Sequence, residues 1–163
     1  MVQNLILDTN GILYTGTNYA VVAQYNYGTI QNVMTFGEIR NTVGTRYVSG
    51  FIRQNNRVIK NAIASVIISH DETDRVRGAF AVSTSGTGSF ENAIYNAEVA
   101  GSSQMDNLST GPLKFYPSGS NNNYIVDYDT NYFKDASNFE DWDSSIWLIV
   151  DGEHIILQPN ITQ

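Results

Sequence analysis

Four oxygen-bearing side chains near the carboxyl end have a spacing that suits a cation. They stand at the first, third, fifth and ninth positions of a calcium-binding loop: Asp127, Asp129, Asn131 and Asp135. Carboxylate and amide oxygens are the ligands that calcium prefers. The pattern is partial, because the sixth position is Tyr132 and not the glycine of a sharp turn. The sequence therefore offers one candidate calcium site, with an acidic strand end that leads into a loop as the alternative.

The sequence gives little support for a catalytic site. The 163-residue chain has no cysteine and two histidines, His70 and His154, each beside a polar turn. The lack of cysteine excludes a disulfide scaffold, a zinc ribbon and a thiol catalyst. No H-E-x-x-H, G-x-S-x-G or P-loop motif occurs. We expect no cofactor besides calcium, and the sequence favours a non-enzymatic role.

Charge is divided unevenly along the chain. Residues 1–110 hold eight acids and seven bases, and residues 111–163 hold eight acids and two bases, so six units of the net charge of −7 are C-terminal. A basic run with no acid inside it comprises Arg40, Arg46, Arg53, Arg57 and Lys60, and an acidic stretch around a tryptophan comprises Asp141, Trp142 and Asp143. We expect these regions to meet between copies of the chain, with a solvated surface as the alternative. The acidic balance disfavours nucleic acid as a partner.

Two aromatic pairs are candidates for stacking on sugar rings, if they are exposed. They are Tyr25 with Tyr27, and Trp142 with Trp147. Packing in a core or an interface is the favoured alternative for each pair.

The elements that must position these residues are predicted to be strands. Eighteen Asn, thirteen Gly and ten Tyr stand beside only three Lys, a composition that suits short strands and tight turns. Turn signals recur about every ten residues, as in sandwiches and barrels. Three hairpins are predicted, around Asp8 to Gly11, around Gln54 to Asn56, and around Asp151-Gly152. The fold class is therefore all-β and mainly antiparallel, a single-domain β-barrel or β-sandwich with at most one short helix.

Two segments fit strand and helix about equally well, residues 58–68 and residues 90–100. Residues 108–123 hold two of the three prolines and a run of polar residues, so we expect a long loop there. No linker separates two apolar halves, and no repeat of 20 to 50 residues is predicted. One β-rich domain over residues 1–163 follows.

The sequence contains no signal for membrane insertion or for export. No apolar run approaches the ~20 residues that span a bilayer. Residues 1–11 lack the basic, apolar and small-residue order of a signal peptide. We expect a cytoplasmic protein or a component of a virion, and no membrane partner.

The segment from Ser85 to Ala93 resembles the G-T-G-x-F-x-x-A strand-and-turn element of the allene oxide cyclase and dirigent β-barrels. In this sequence the element is Gly86-Thr87-Gly88-Ser89-Phe90-Glu91-Asn92-Ala93. The resemblance implies an antiparallel barrel, a small apolar ligand and a cyclisation or stereocontrol role. It also implies that Phe90 and Ala93 return inward to the core.

The function expected from the sequence is that of a non-enzymatic structural or binding protein in a multi-copy assembly. A bacteriophage head decoration or tail component is the leading setting, with a homo-oligomer or other structural proteins as partners. The small β-rich composition, the lack of a catalytic motif and the opposed charges favour this interpretation. A cyclase-like barrel that binds a small apolar molecule is the first alternative, and a carbohydrate-binding module is the second.

Overall fold

The computed structural model of the protein describes residues 1–14, 18–41, 47–70, 76–82, 88–100 and 125–158. Strands dominate these residues, and one short helix follows the tenth strand. The elements are β1 (Val2–Asp8), β2 (Ile12–Tyr14), β3 (Asn18–Ala20), β4 (Ala23–Asn26), β5 (Thr29–Asn41), β6 (Tyr47–Ser49), β7 (Ile52–Asn55), β8 (Val58–His70), β9 (Val76–Gly78), β10 (Ser89–Asn96), α1 (Ala97–Ala100), β11 (Ile125–Tyr128), β12 (Trp147–Leu148) and β13 (Ile156–Leu157). Within the same residues, no helix has the length and apolar character to cross a membrane.

The chain winds into a parallel β-solenoid, in which each coil lies against the coil before it. One long sheet has the strand order β1-β5-β8-β10-β11, with β2 also beside β5. The second sheet is β3-β6-β9 and the third is β4-β7. Val2 lies opposite Ile30, Ile30 opposite Ile59, and Ile59 opposite Phe90. Over all the paired strands, equivalent residues of successive coils are 27 to 32 positions apart.

Apolar side chains of like position stack inside the coils. Val33, Ala62 and Ala93 lie side by side in the long sheet, and each is fully buried. Phe51 and Phe80 stack with their ring centres 4.4 Å apart and their planes within 15° of each other. This packing fills the interior of the solenoid, and each coil depends on its neighbours to bury it.

The outer face of the long sheet is covered by the chain's own C-terminal segment, residues 129–158. Ile63 and Ile94 project to this face and are 1% and 4% exposed. The segment covers them with a second apolar cluster, comprising Phe133, Phe139, Trp142, Trp147, Ile155 and Leu157. The ring centres of Trp142 and Trp147 lie 4.8 Å apart, edge to face. The middle of this sheet is therefore buried on both faces, with Ala62 and Ala93 inside the coils and Ile63 and Ile94 beneath the C-terminal segment.

The all-β character predicted from the sequence is confirmed, but the antiparallel barrel or sandwich is wrong. The sheets are mainly parallel, and no barrel closes. Of the three predicted hairpins, only the last has an antiparallel pair, β12 with β13, and residues 149–155 separate its short strands. At Asp8 to Gly11 the chain stays beside β5, because β1 and β2 both pair with β5 in parallel and one extra residue lies between the two pairings. At Gln54 to Asn56 the chain passes from the third sheet into the long sheet instead of folding back on the strand before it.

The ambiguous segments are mostly strand. Residues 58–68 belong to β8, where Ala62 and Ile63 are buried on opposite faces of the sheet. Residues 90–96 belong to β10, and only Ala97–Ala100 are helical.

The expectation of no internal repeat is wrong, since the coils themselves repeat. The loop predicted at residues 108–123 lies outside the described residues, and the single domain stays a prediction.

Candidate functional site

The first coil of the solenoid has an open edge. Each of its strands, β1 to β4, pairs with a strand of the second coil, and the described residues supply no strand on its other side. Three apolar side chains at this end are exposed: Met1 by 84%, Val2 by 38% and Leu5 by 37%. Unpaired backbone beside apolar side chains is a surface that can accept another strand.

A ladder of asparagines runs along one corner of the solenoid to this open edge. Asn92 Nδ2 donates to Asn61 Oδ1 at 3.0 Å, Asn61 Nδ2 donates to Asn32 Oδ1 at 3.3 Å, and Asn32 Nδ2 donates to Asn4 Oδ1 at 3.0 Å. All four backbones have a positive φ, between 48° and 53°. Asparagine tolerates this left-handed conformation better than most residues. The ladder thus fixes the register of the coils and ends in the amide group of Asn4.

The basic run divides into two kinds of residue. Arg40 Nε lies 3.0 Å from Glu38 Oε1, and Lys60 Nζ lies 2.6 Å from Glu91 Oε1, so both cations have a carboxylate partner. Arg53 and Arg57 have no carboxylate within ion-pair distance among the described residues. Arg46 lies outside these residues. The structure therefore leaves Arg53 and Arg57 as the cations of the run that are open to a partner.

Aromatic rings surround Arg53 at a second corner of the solenoid. Its guanidinium lies 5.0 Å from the ring centre of Tyr25 and 5.2 Å from that of Tyr47, and it donates to the hydroxyl of Tyr25. Tyr25 in turn lies near Tyr27, which precedes the turn into the second coil. The sequence spacing alone did not reveal this cluster, because its members come from adjacent coils.

A groove of about 640 Å³ adjoins this cluster and crosses three coils. Its lining comes from the turn residues at the corner: Tyr27, Asn56, Arg57, Val58, Gly88 and Ser89. The groove is formed where these turns pass over one another.

The acidic stretch is only partly available for contacts. Trp142 is 7% exposed and packs in the outer apolar cluster, which is the core role weighed from the sequence. Asp141 and Asp143 are exposed. Asp143 Oδ1 accepts hydrogen bonds from the hydroxyl and the backbone N–H of Ser145, which lowers the pKa of that carboxyl. Contact between this stretch and the basic run in another copy stays a prediction.

Two of the four candidate calcium ligands, Asp129 and Asp135, accept local backbone hydrogen bonds, and calcium binding stays a prediction. Asp129 Oδ1 accepts from the backbone N–H of Tyr132 at 2.9 Å. Asp135 caps the short 3₁₀ turn Ala136–Phe139, and the hydroxyl and backbone N–H of Ser137 lower its pKa. Asn131 is exposed, and Asp127 lies in β11. In the part of the chain described here, no three His, Asp or Glu residues come together as a metal site.

A second groove, of about 650 Å³, lies at the opposite end of β5 and includes Asp8, Glu38 and Arg40. Glu38 accepts hydrogen bonds from Arg40 and Ser69, and these bonds hold the pKa of its carboxyl below the ordinary value. Glu38 is therefore ionised near neutral pH and unsuited to donate a proton there. A general acid would require the opposite shift.

The segment that resembles the cyclase and dirigent element is part of a parallel strand. Residues 85–87 lie outside the described residues, and Ser89 to Ala93 belong to β10. The expected inward position is confirmed for Phe90, which is 4% exposed, and for Ala93, which is fully buried. Comparison of the chain with protein-family models, curated proteins and solved structures gives no match.

Proposed function

We propose that the protein is a non-enzymatic structural protein that acts in a multi-copy assembly, and that copies join through the open edge of the first coil. The observation that carries this proposal is the row of four strands, β1 to β4, each of which has one neighbouring strand within the described part of the chain. A solenoid needs a polar cap at its ends to stay in solution as a single copy. Here Met1, Val2 and Leu5 present apolar surface instead.

A head-to-head pair of copies would pair the free backbone groups of this edge through a single kind of contact. A two-fold axis across the edge sets β1 of one copy antiparallel to β1 of the other, so each copy uses the same surface and the assembly closes. Backbone hydrogen bonds and apolar burial then supply the attraction, and neither depends strongly on salt.

The solenoid offers less support to the cyclase-like alternative. A barrel enzyme needs an enclosed cavity for its ligand. Phe51, Phe80 and Phe90 fill the interior at this point, with Phe80 and Phe90 edge to face at 6.1 Å. A virion as the setting remains a proposal, which the genes beside this one would test directly.

Sedimentation velocity over a range of protein concentrations tests the proposal. We expect the wild type to form dimers or larger assemblies at low and high salt alike. Leu5→Glu and Val2→Glu place charge at the edge and should give monomers that keep the wild-type circular dichroism spectrum. The matched control is Ile67→Glu, because Ile67 is 47% exposed on β8, away from the first coil.

Three results would count against the edge as the contact. If the wild type stays monomeric at its highest soluble concentration, the proposal that copies assemble is wrong. If the edge variants fold and still assemble like the wild type, the copies join through another surface. Assembly that high salt dissolves instead favours the charged contact between the basic run and the acidic stretch.

A further inference from the structure

Two tyrosines at the corner between the first and second coils are exposed side by side. Tyr25 is 44% exposed and Tyr27 is 72% exposed. Their ring centres lie 6.3 Å apart and their planes are within 18° of each other. Most large aromatic rings in a chain of this size are largely buried. Tyr27, the more exposed ring of the two, therefore forms a platform at the groove that a flat ligand face can cover.

Positive charge lies at this platform without a matching carboxylate. Arg53 packs its guanidinium against Tyr25, and Arg57 is exposed beside Tyr27 at the groove. In the described structure neither arginine pairs with an acid, in contrast to Arg40 and Lys60. A guanidinium matches a carboxylate with two parallel hydrogen bonds. The chemistry of the site thus favours an anionic ligand.

Two buried hydrogen-bond donors at the same corner lack an acceptor. They are Arg53 Nε and Asn56 Nδ2. Asn56 also lines the groove, together with the polar Ser89. Buried donors in proteins are nearly always paired, so these two donors indicate an acceptor outside the described residues. A ligand rich in oxygen acceptors provides such groups.

We propose that this corner binds an acidic oligosaccharide, one with a carboxylate on its sugar rings. A sugar ring stacks on Tyr27, its carboxylate pairs with Arg57, and its hydroxyl groups bond with Asn56 and Ser89. Aromatic faces bind the C–H face of a sugar ring, and the groove of about 640 Å³ is of ligand size. This site is independent of the edge contact, since it involves different residues.

The number of cations at the groove favours a sugar over single-stranded nucleic acid. A nucleic acid carries a phosphate on every sugar, and its binding depends on a row of cations. Here Arg57 is the one arginine among the residues that line the groove. A single guanidinium can pair with one carboxylate of a sugar, and the uncharged Tyr27, Asn56 and Ser89 suit its ring face and hydroxyl groups.

A glycan array with hexuronic acid oligosaccharides and their methyl esters tests the class of ligand. The esters are matched controls, because they keep the ring and remove the charge. We expect the acids to bind and the esters to bind at least about tenfold more weakly. Titration calorimetry with the strongest acid then compares the variants. Tyr27→Ala and Arg57→Gln should each lose about tenfold or more in affinity, while the ion-paired Arg40, as Arg40→Gln, should keep wild-type affinity.

The array and the titrations can overturn the inference in three ways. Binding to no acidic oligosaccharide removes it. Equal binding of acids and esters removes the role of the arginines. Binding of a deoxythymidine oligonucleotide with a steep salt dependence, and of no glycan, would identify a nucleic acid site instead.

Discussion

Replacing Asn61 in the asparagine ladder should destabilise the solenoid by about 3 kcal/mol. Asn61→Ala removes the hydrogen bonds to Asn32 and from Asn92, each with a net stabilisation of about 1 kcal/mol. It also forces alanine into a backbone with φ of 48°, which adds about 1 kcal/mol. For a chain of this length, the sum lowers Tm by about 6 to 12 °C.

Two further variants separate the contributions. Asn61→Gly removes the same hydrogen bonds but relieves the backbone, so it should be less destabilising than Asn61→Ala by about 0.5 to 1 kcal/mol. Asn10 has a φ of 40° but lies outside the ladder, so Asn10→Ala should cost only the backbone contribution of about 1 kcal/mol. Urea unfolding followed by far-UV circular dichroism measures all three. If Asn61→Ala costs no more than Asn10→Ala, the ladder does not stabilise the fold and the reasoning fails.

Three other substitutions test the packing and the C-terminal segment. A Cβ at Gly50 would lie 2.2 Å from the backbone oxygen of Ala79, so Gly50→Ala should lower Tm by several degrees in a thermal melt. Trp147→Phe should be milder than Trp147→Ala, for which about 3 to 5 kcal/mol is expected, because Phe keeps a ring and removes a buried N–H that has no acceptor. The pKa of Asp143 is lowered on folding, so its contribution is present above the ordinary value of 3.8 and is lost as the pH falls through the folded pKa. Asp143→Asn should therefore flatten the fall of Tm below about pH 4, and thermal melts of the variant and the wild type across this pH range measure the difference.

Composition and local turn residues predict the secondary structure but not the sheet topology. Asn, Gly and Tyr correctly indicate strands and turns, and the Asp151-Gly152 turn correctly lies between an antiparallel pair. The same local signals mislead at Asn10-Gly11, since residues with positive φ allow one extra residue in a chain that stays beside β5 as readily as they allow a hairpin. Which of the two forms depends on strands 27 to 32 residues away, and these do not enter a local reading of the sequence.

The repeat itself is present in the sequence but is degenerate. A polar residue, an asparagine and an apolar residue recur at 3–5, 31–33, 60–62 and 91–93. Only the asparagine is constant, because the ladder needs its amide and its tolerance of positive φ. The inward positions need only an apolar side chain of suitable volume. The coils also differ in length, so a search at one fixed period does not align them.

Departures from the repeat identify the candidate binding site better than any motif does. Asn26 and Asn55 occupy equivalent buried positions in successive coils and bond to each other at 2.8 Å, which is what stacking requires. At the neighbouring outward position, Tyr25 lies opposite Gln54. Nothing in the stacking of coils demands a tyrosine on one coil and a glutamine on the next. Since the fold accounts for what repeats, the unrepeated aromatic and basic residues at this corner are the ones that need a reason outside the fold, and the ligand that we propose would supply it.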